Sequence, residues 1–225
     1  MQAEADAVIG ALGLAPERAP WAEYLPARLW AGPVGGTLVH LVTNGRDERT
    51  GADLIGTTPA TLAATIAIGS LRPGLLLVAG AAGGRSGSTA IGEVLLIDRA
   101  FHHDRRIPLP EFAGYAHGPE ALDHSPALAG AFGVRTATIS TGNGLDTLPH
   151  ELGFFDQHGI TVKDMETASI AWVAAQHRMP VAALRSITDF FDHPTPEHQF
   201  LANFDRALEN LAATVAAGLP RLVAG

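Results

Sequence analysis

Apolar positions recur at helical spacing in residues 3–14, where Ala5, Val8, Ile9, Leu12 and Leu14 fall on one face, so a short amphipathic helix opens the chain. Pro16, Pro20 and Pro26 then break the pattern ahead of two β-rich stretches, residues 28–32 and 37–43. The Pro33-Val34-Gly35-Gly36 turn signal between them makes the pair a hairpin. A second helix is expected over 58–71, with Pro59 in its first turn, where no amide donor is needed, and a stop before Arg72-Pro73. Residues 74–79 form a continuous apolar run that reads as a buried strand. It passes into Gly80-Ala81-Ala82-Gly83-Gly84, which reads as a loop that lets a ligand approach the backbone.

Further strands are expected at 91–97, 134–140 and 181–188, and helices at 164–176 and from 196 to 223. The polar stretch from Phe101 to Pro110 is long and carries two prolines, which suggests a functional loop rather than a tight turn. Thr141-Gly142-Asn143-Gly144-Leu145-Asp146 is a second glycine-bearing loop at a strand's carboxyl end. Strands alternating with helices imply an α/β protein, a three-layer α/β/α sandwich around a mixed central sheet. In such sheets ligands bind beyond the carboxyl ends of the strands, where these loops lie.

Composition narrows the chemistry. A chain of 225 residues, 47% of them hydrophobic, can bury one substantial core, and a single domain spanning 1–225 is expected. The formal net charge of −8, with no Lys/Arg stripe to override it, repels a phosphate backbone and argues against nucleic acid as partner. The lack of cysteine excludes disulfides and thiolate chemistry. The first residues lack the basic-then-apolar run of a signal peptide, and no apolar run approaches the roughly 20 residues of a membrane span, so a cytoplasmic location without a membrane partner is expected.

Several motifs, in one order, carry a family resemblance. Lys163-Asp164-Met165-Glu166-Thr167-Ala168-Ser169-Ile170, followed at the right gap by Arg185-Ser186-Ile187-Thr188-Asp189, resembles the nucleoside phosphorylase and nucleosidase superfamily. Gly45-Arg46-Asp47, Gly56-Thr57-Thr58-Pro59-Ala60, Phe101-His102-His103-Asp104, Ser140-Thr141-Gly142 and the opening Met1-Gln2-Ala3-Glu4-Ala5 are similar to the plant-type methylthioadenosine nucleosidases within it. The resemblance implies a nucleoside-phosphorylase-like fold and hydrolysis of a purine nucleoside, with methylthioadenosine first and S-adenosylhomocysteine second, to release adenine without a cofactor. In that family the Met1–Glu4 motif follows an apolar strand, so either the sheet here lacks its first strand or the start lies inside a longer gene product.

Cleaving a purine N-glycosidic bond needs stabilisation of an oxocarbenium-like sugar, protonation of the leaving base and a water on the opposite face. By matched position, Asp189 donates a proton to purine N7, its carboxyl kept neutral by burial. Locally it reads as well as a turn or cap residue, and the resemblance decides for catalysis. Glu4 matches the carboxylate that activates water; by itself it is an ordinary first-helix Glu. Glu166 is expected to accept from the ribose 2′- and 3′-hydroxyls, with Met165 beneath the sugar, although a first-turn Glu also suits the helix dipole. Arg185, four residues before Asp189 and so on the same face of a regular strand, pairs with a carboxylate, for substrate or for structure.

The resemblance places Leu145 on the purine face and the backbone of Asp146 on its edge, with Asn143 standing where many members carry Asp. Ala81 and Gly83 line the ribose side, Ala81 in place of the usual Ser or Thr hydroxyl. Phe200 lines a 5′-alkylthio subsite or packs in the core. Adjacent His102 and His103 on an extended segment point apart and have no helical partner, which argues against a metal. The resemblance makes residues 101–110 a homodimer contact. A phosphorylase would need several cationic donors, and Arg46 is the one obvious candidate near the expected loop, so hydrolysis is preferred over phosphorolysis. A non-catalytic nucleoside-binding paralogue and a futalosine-type substrate stay open at this stage.

Overall fold

A computed structural model describes residues 1–223. Its elements are α1 (Gln2–Leu12), β1 (Ala15–Glu17), β2 (Arg28–Val34), β3 (Thr37–Thr43), α2 (Thr57–Leu71), β4 (Leu76–Gly84), β5 (Val94–His102), α3 (Ala113–His117), β6 (Glu120–Ala121), α4 (Pro126–Phe132), β7 (Thr136–Thr141), α5 (Pro149–His158), β8 (Val162–Asp164), α6 (Thr167–Gln176), β9 (Val181–Phe190) and α7 (Pro196–Val223). Among the described residues, no helix is long and apolar enough to cross a membrane.

The expected hairpin is present, β2 against β3, with β1 added along the other edge of β2. The main sheet is mixed and closes on itself through β5, β7, β8, β4 and β9. β4 runs parallel to β9, β5 to β7 and β7 to β8, while β8 meets β4 and β9 meets β5 antiparallel. The period-two alternation of β5 and β9 sends side chains to two apolar layers. Val94, Leu96, Ala182 and Leu184 pack with α1, α4 and α7, whereas Leu95, Ile97, Val181 and Ala183 pack with Ala168, Ala171 and Ala174 of α6. The α/β class and mixed central sheet are as expected.

Four local readings are corrected. Gly80–Gly84 is not a loop but the second half of β4; its glycines are bare because neighbouring side chains occupy the space, those of Arg185 and Asp189 on β9 and of Thr89 in the connection to β5 among them. The helix expected from 164 begins at Thr167, since Val162-Lys163-Asp164 is the short strand β8. The strand expected at 91–97 is shifted to Val94–His102, which draws Phe101 and His102 into the sheet, while His103 is buried just beyond its end. The polar loop therefore starts at Asp104. Elements α3, α4, α5, β1 and β6 were not expected; each is short or lacks a long periodic stripe.

Among the described residues β3 pairs only with β2, and β4 meets β8 only at Gly83 and Gly84. The described residues place no strand between β3 and β4. A cavity of about 860 Å³ lies there, lined by β3, by residues 74–79 and at its polar side by Glu4, Glu166 and Arg185.

Candidate active site along the second half of β4

Residues 80–83 of β4 form a backbone floor with charged groups at each end. At the Gly80–Ala81 end, Glu4 from α1 accepts the Ala81 amide at 2.7 Å, and its other oxygen pairs with the N-terminal ammonium. A second tie comes from Gln2, whose amide donates to Asp53 at 2.9 Å and anchors the start of α1. Arg185, standing opposite Gly80 in the β4–β9 register, donates to the Ala81 carbonyl at 3.2 Å and to the Thr167 hydroxyl at 2.8 Å. Its ion-pair partner is the buried Asp164, and Glu166 lies 3.6 Å away.

Asp164 is saturated by design of the turn between β8 and α6. It accepts from the Thr141 hydroxyl at 2.5 Å, the Thr167 hydroxyl at 2.5 Å and the Thr167 amide at 2.8 Å, as well as from Arg185. Burial alone would lower the Arg185 pKa, but Asp164, Glu166 and Glu4 outweigh it and hold the guanidinium charged. Glu166, at the amino end of α6, accepts the Gly56 amide at 2.9 Å. Burial pushes its carboxyl up, Arg185 pulls it down, and the neighbouring Asp164 and Glu4 push it up again; the net direction is upward. Gly56 itself sits at φ +98°, and a Cβ there would lie 2.8 Å from Asn143 Oδ1, so no other residue fits this donor position. Met165 is half-buried beside Glu166.

At the other end, a single row crosses three strands: Lys163 on β8, Gly83 on β4 and Asp189 on β9. Register partners share a face, so the two side chains flank the bare Gly83. A Cβ on Gly83 would lie 2.9 Å from Asp189 Oδ2. Asp189 is buried and accepts from the Thr188 hydroxyl at 2.6 Å, but no cation pairs with it among the described residues. Burial raises its pKa; Thr188 and the more distant Lys163 pull it only part of the way back. Arg185 does pair with a carboxylate, but that partner is Asp164 and not Asp189. A bulge between Ala82 and Gly83 in the register puts Arg185 opposite Gly80 and Asp189 opposite Gly83, three positions apart along β4 rather than four. At a rise of about 3.3 Å per residue the two ends lie roughly 10 Å apart, the scale of a purine nucleoside.

The 141–148 loop closes the second end. Asn143 donates to Asp104 through its backbone at 2.8 Å and its side chain at 3.0 Å, and accepts at 2.9 Å from the Thr57 amide. A carboxylate here would lose a donor and face Asp104 directly. Leu145 and Asp146 are exposed. Phe200 is half-buried and stacks on Phe204 at 4.8 Å between centroids; the start of its helix is tied to the site by Gln199, which accepts the Phe190 amide at 2.9 Å. Asp164, Thr141, Thr167, Gly56 and Lys163 carry no role in the sequence reading, although all five lie inside the quoted motifs. Their burial depends on strand closure, which leaves no local signal.

Fold and site together define a class. The profile of the phosphorylase superfamily matches residues 1–220, and the chain belongs to that family. The 5′-methylthioadenosine nucleosidase of Arabidopsis thaliana is 35% identical over 222 residues, spanning 96% of this chain and 83% of its own length. A 5′-methylthioadenosine/S-adenosylhomocysteine nucleosidase of the same plant is 31% identical over 218 residues, spanning 96% and 84%. Among solved structures, apo Arabidopsis thaliana 5′-methylthioadenosine nucleosidase superposes with a TM-score of 0.93 at 32% identity, covering 97% of this chain and 91% of that one. A structure of an MTA/SAH nucleosidase gives 0.96 at 28% identity, covering 100% and 93%.

Proposed function

We propose that this protein hydrolyses the N-glycosidic bond of 5′-methylthioadenosine, with S-adenosylhomocysteine as a second candidate, the substrates named for its Arabidopsis relatives. The observation that carries the reading is Asp189: a buried carboxyl without a cation partner, its pKa raised by burial, beside a glycine that leaves room for a ring. It gives its proton to purine N7 as the C1′–N9 bond breaks and the bonding electrons pass to the base. Glu4 takes a proton from a water attacking C1′ from the other face, so the products are adenine and methylthioribose. Glu166 accepts from the ribose hydroxyls over Met165, and Leu145 covers the purine face. Ala81 and Gly83 line the floor, and Phe200 borders the 5′ substituent.

Water rather than phosphate is the nucleophile in this reading. Arg46, the one candidate cation of the sequence reading, is held by Asp53 at 2.8 Å, and Glu4 would repel an anion. The same reading makes the chain a homodimer through residues 104–110, exposed Leu109 among them, and the adjoining exposed Phe112 and Tyr115, since Phe101, His102 and His103 are buried within the subunit. Light scattering on the purified chain at micromolar concentration tests it, a monomer mass refuting it. For the activity, the test is a panel of methylthioadenosine, S-adenosylhomocysteine, futalosine and adenosine followed by chromatography of the released base. Preference for methylthioadenosine supports the proposal; cleavage of futalosine alone, or ligand binding without cleavage of any of the four, refutes it.

A further inference from the structure

Helix α2 begins at Thr57 without a cap of its own, because Gly56 ahead of it has no side chain to offer. Its first amides are taken instead by two residues far along the chain. Glu166, 110 positions away, accepts the Gly56 amide at 2.9 Å. Asn143, 86 positions away, accepts the Thr57 amide at 2.9 Å and the Thr57 hydroxyl at 3.0 Å. The start of α2 is therefore the joint between the 141–148 loop and the carboxylate assigned above to the ribose.

That joint decides where Glu166 points. Its carboxylate makes no bond to its own helix, α6. One oxygen takes the Gly56 amide, the only hydrogen bond to this carboxylate among the described residues. The other lies 3.6 Å from Arg185, beyond hydrogen-bond length, and the side chain is 21% exposed, which leaves lone pairs free for a ligand.

Asn143 must be an amide to hold the joint. Its side-chain oxygen faces the two Thr57 donors, while its backbone amide and its side-chain nitrogen both donate to Asp104, at 2.8 and 3.0 Å. An Asp there would set two carboxylates against each other. Asn143 is exposed, so water can take over single bonds, but it cannot hold α2 and Asp104 at a fixed separation.

We propose that Asn143 is a positioning residue for ribose recognition: by tying the start of α2 to Asp104 it fixes the Gly56 amide, and through that amide the Glu166 carboxylate, where it meets the 2′- and 3′-hydroxyls. The proposal rests on the reading that Glu166 accepts from these hydroxyls. Asn143 itself touches the joint and not the substrate.

The test is the preference for ribose over 2′-deoxyribose, measured as the ratio of kcat/KM for methylthioadenosine to that for its 2′-deoxy analogue. It compares wild type, Asn143→Ala, Asn143→Asp and the exchanged pair Asn143→Asp with Asp104→Asn. A loss of folded protein lowers both rates together and leaves the ratio alone, whereas a displaced Glu166 lowers chiefly the riboside. For hydrogen bonds at an exposed joint, the ratio is expected to fall about threefold to tenfold in each single variant. The exchanged pair again sets one amide against one carboxylate and recovers the ratio to within about twofold of wild type. A ratio unchanged in both single variants, an exchanged pair no better than Asn143→Asp alone, or a wild type without preference for the riboside overturns the proposal. The same preference is read without turnover from calorimetric affinities for 9-deazaadenosine, whose carbon–carbon glycosidic bond is not hydrolysed, and for its 2′-deoxy analogue. If wild type cleaves neither methylthio nucleoside, the hydrolase reading fails, and these affinities still decide the role of Asn143.

Discussion

Replacing Arg185 with Met removes the cation on which the Gly80–Ala81 end of the site is built. The guanidinium is buried and makes an ion pair with Asp164, hydrogen bonds to the Thr167 hydroxyl at 3.0 and 2.8 Å, and one to the Ala81 carbonyl at 3.2 Å. Removing one partner of a buried pair costs about 3–5 kcal/mol, because the other charge is left uncompensated. Asp164 retains three further donors, from Thr141 and twice from Thr167, which places the expected loss near the lower figure. For a chain of this size about 3 kcal/mol corresponds to a fall in melting temperature of roughly 6–12 °C. Urea denaturation of Arg185→Met, Asp164→Leu, the double variant and wild type forms a cycle. The double variant, with neither charge left buried, is expected to be more stable than the sum of the single losses by at least about 1 kcal/mol. Additivity within about 0.5 kcal/mol would refute the claim that these two groups hold each other in place.

Asp189→Asn keeps the shape and removes the proton; kcat is expected to fall about 10²–10⁴-fold with KM little changed, and an unaltered kcat would remove Asp189 from the acid role. Gly83→Ala, at a residue without positive φ, puts a methyl 2.9 Å from Asp189 Oδ2 and 3.4 Å from Phe191 Cβ. It is expected to keep its melting temperature within a few degrees while kcat/KM drops about tenfold or more, and full activity would show that the floor at Gly83 is not used. His102 is held neutral by burial, its pKa lowered to about 4 from 6.5. The unfolded chain then binds the extra proton first, so this group's contribution to stability is present above 6.5 and is lost as pH falls from 6.5 towards about 4. Denaturation midpoints of His102→Gln should depend less on pH across that window than those of wild type; equal slopes would show that His102 does not carry it.

Elements with a long, regular pattern were legible. The hairpin of β2 and β3, helix α2 and the closing α7 lie within a few residues of their expected bounds, because each has its own periodicity and its own stop signal. The second half of β4 was not, since glycine reads as a loop when the packing that demands it comes from Arg185 and Asp189, about a hundred residues away. Asp164 looked like a helix start because the three-residue strand Val162-Lys163-Asp164 has too short a pattern to register, and its pairing with β7 and β4 is a property of the closed sheet. The carboxyl groups Glu4, Glu166 and Asp189 could be nominated by motif. The bulge that separates Arg185 from Asp189, and the saturation of Asp164 and Lys163, follow from tertiary register, which one sequence does not display.

The central claim is that water, activated at one end of the β4 floor, cleaves a purine nucleoside whose base is protonated at the other. Its most direct test is adenine release from methylthioadenosine by the purified 225-residue chain in phosphate-free buffer and again with phosphate added. The account predicts equal amounts of adenine and free methylthioribose in both, with no dependence on phosphate. Release only with phosphate, accompanied by methylthioribose 1-phosphate, would contradict it.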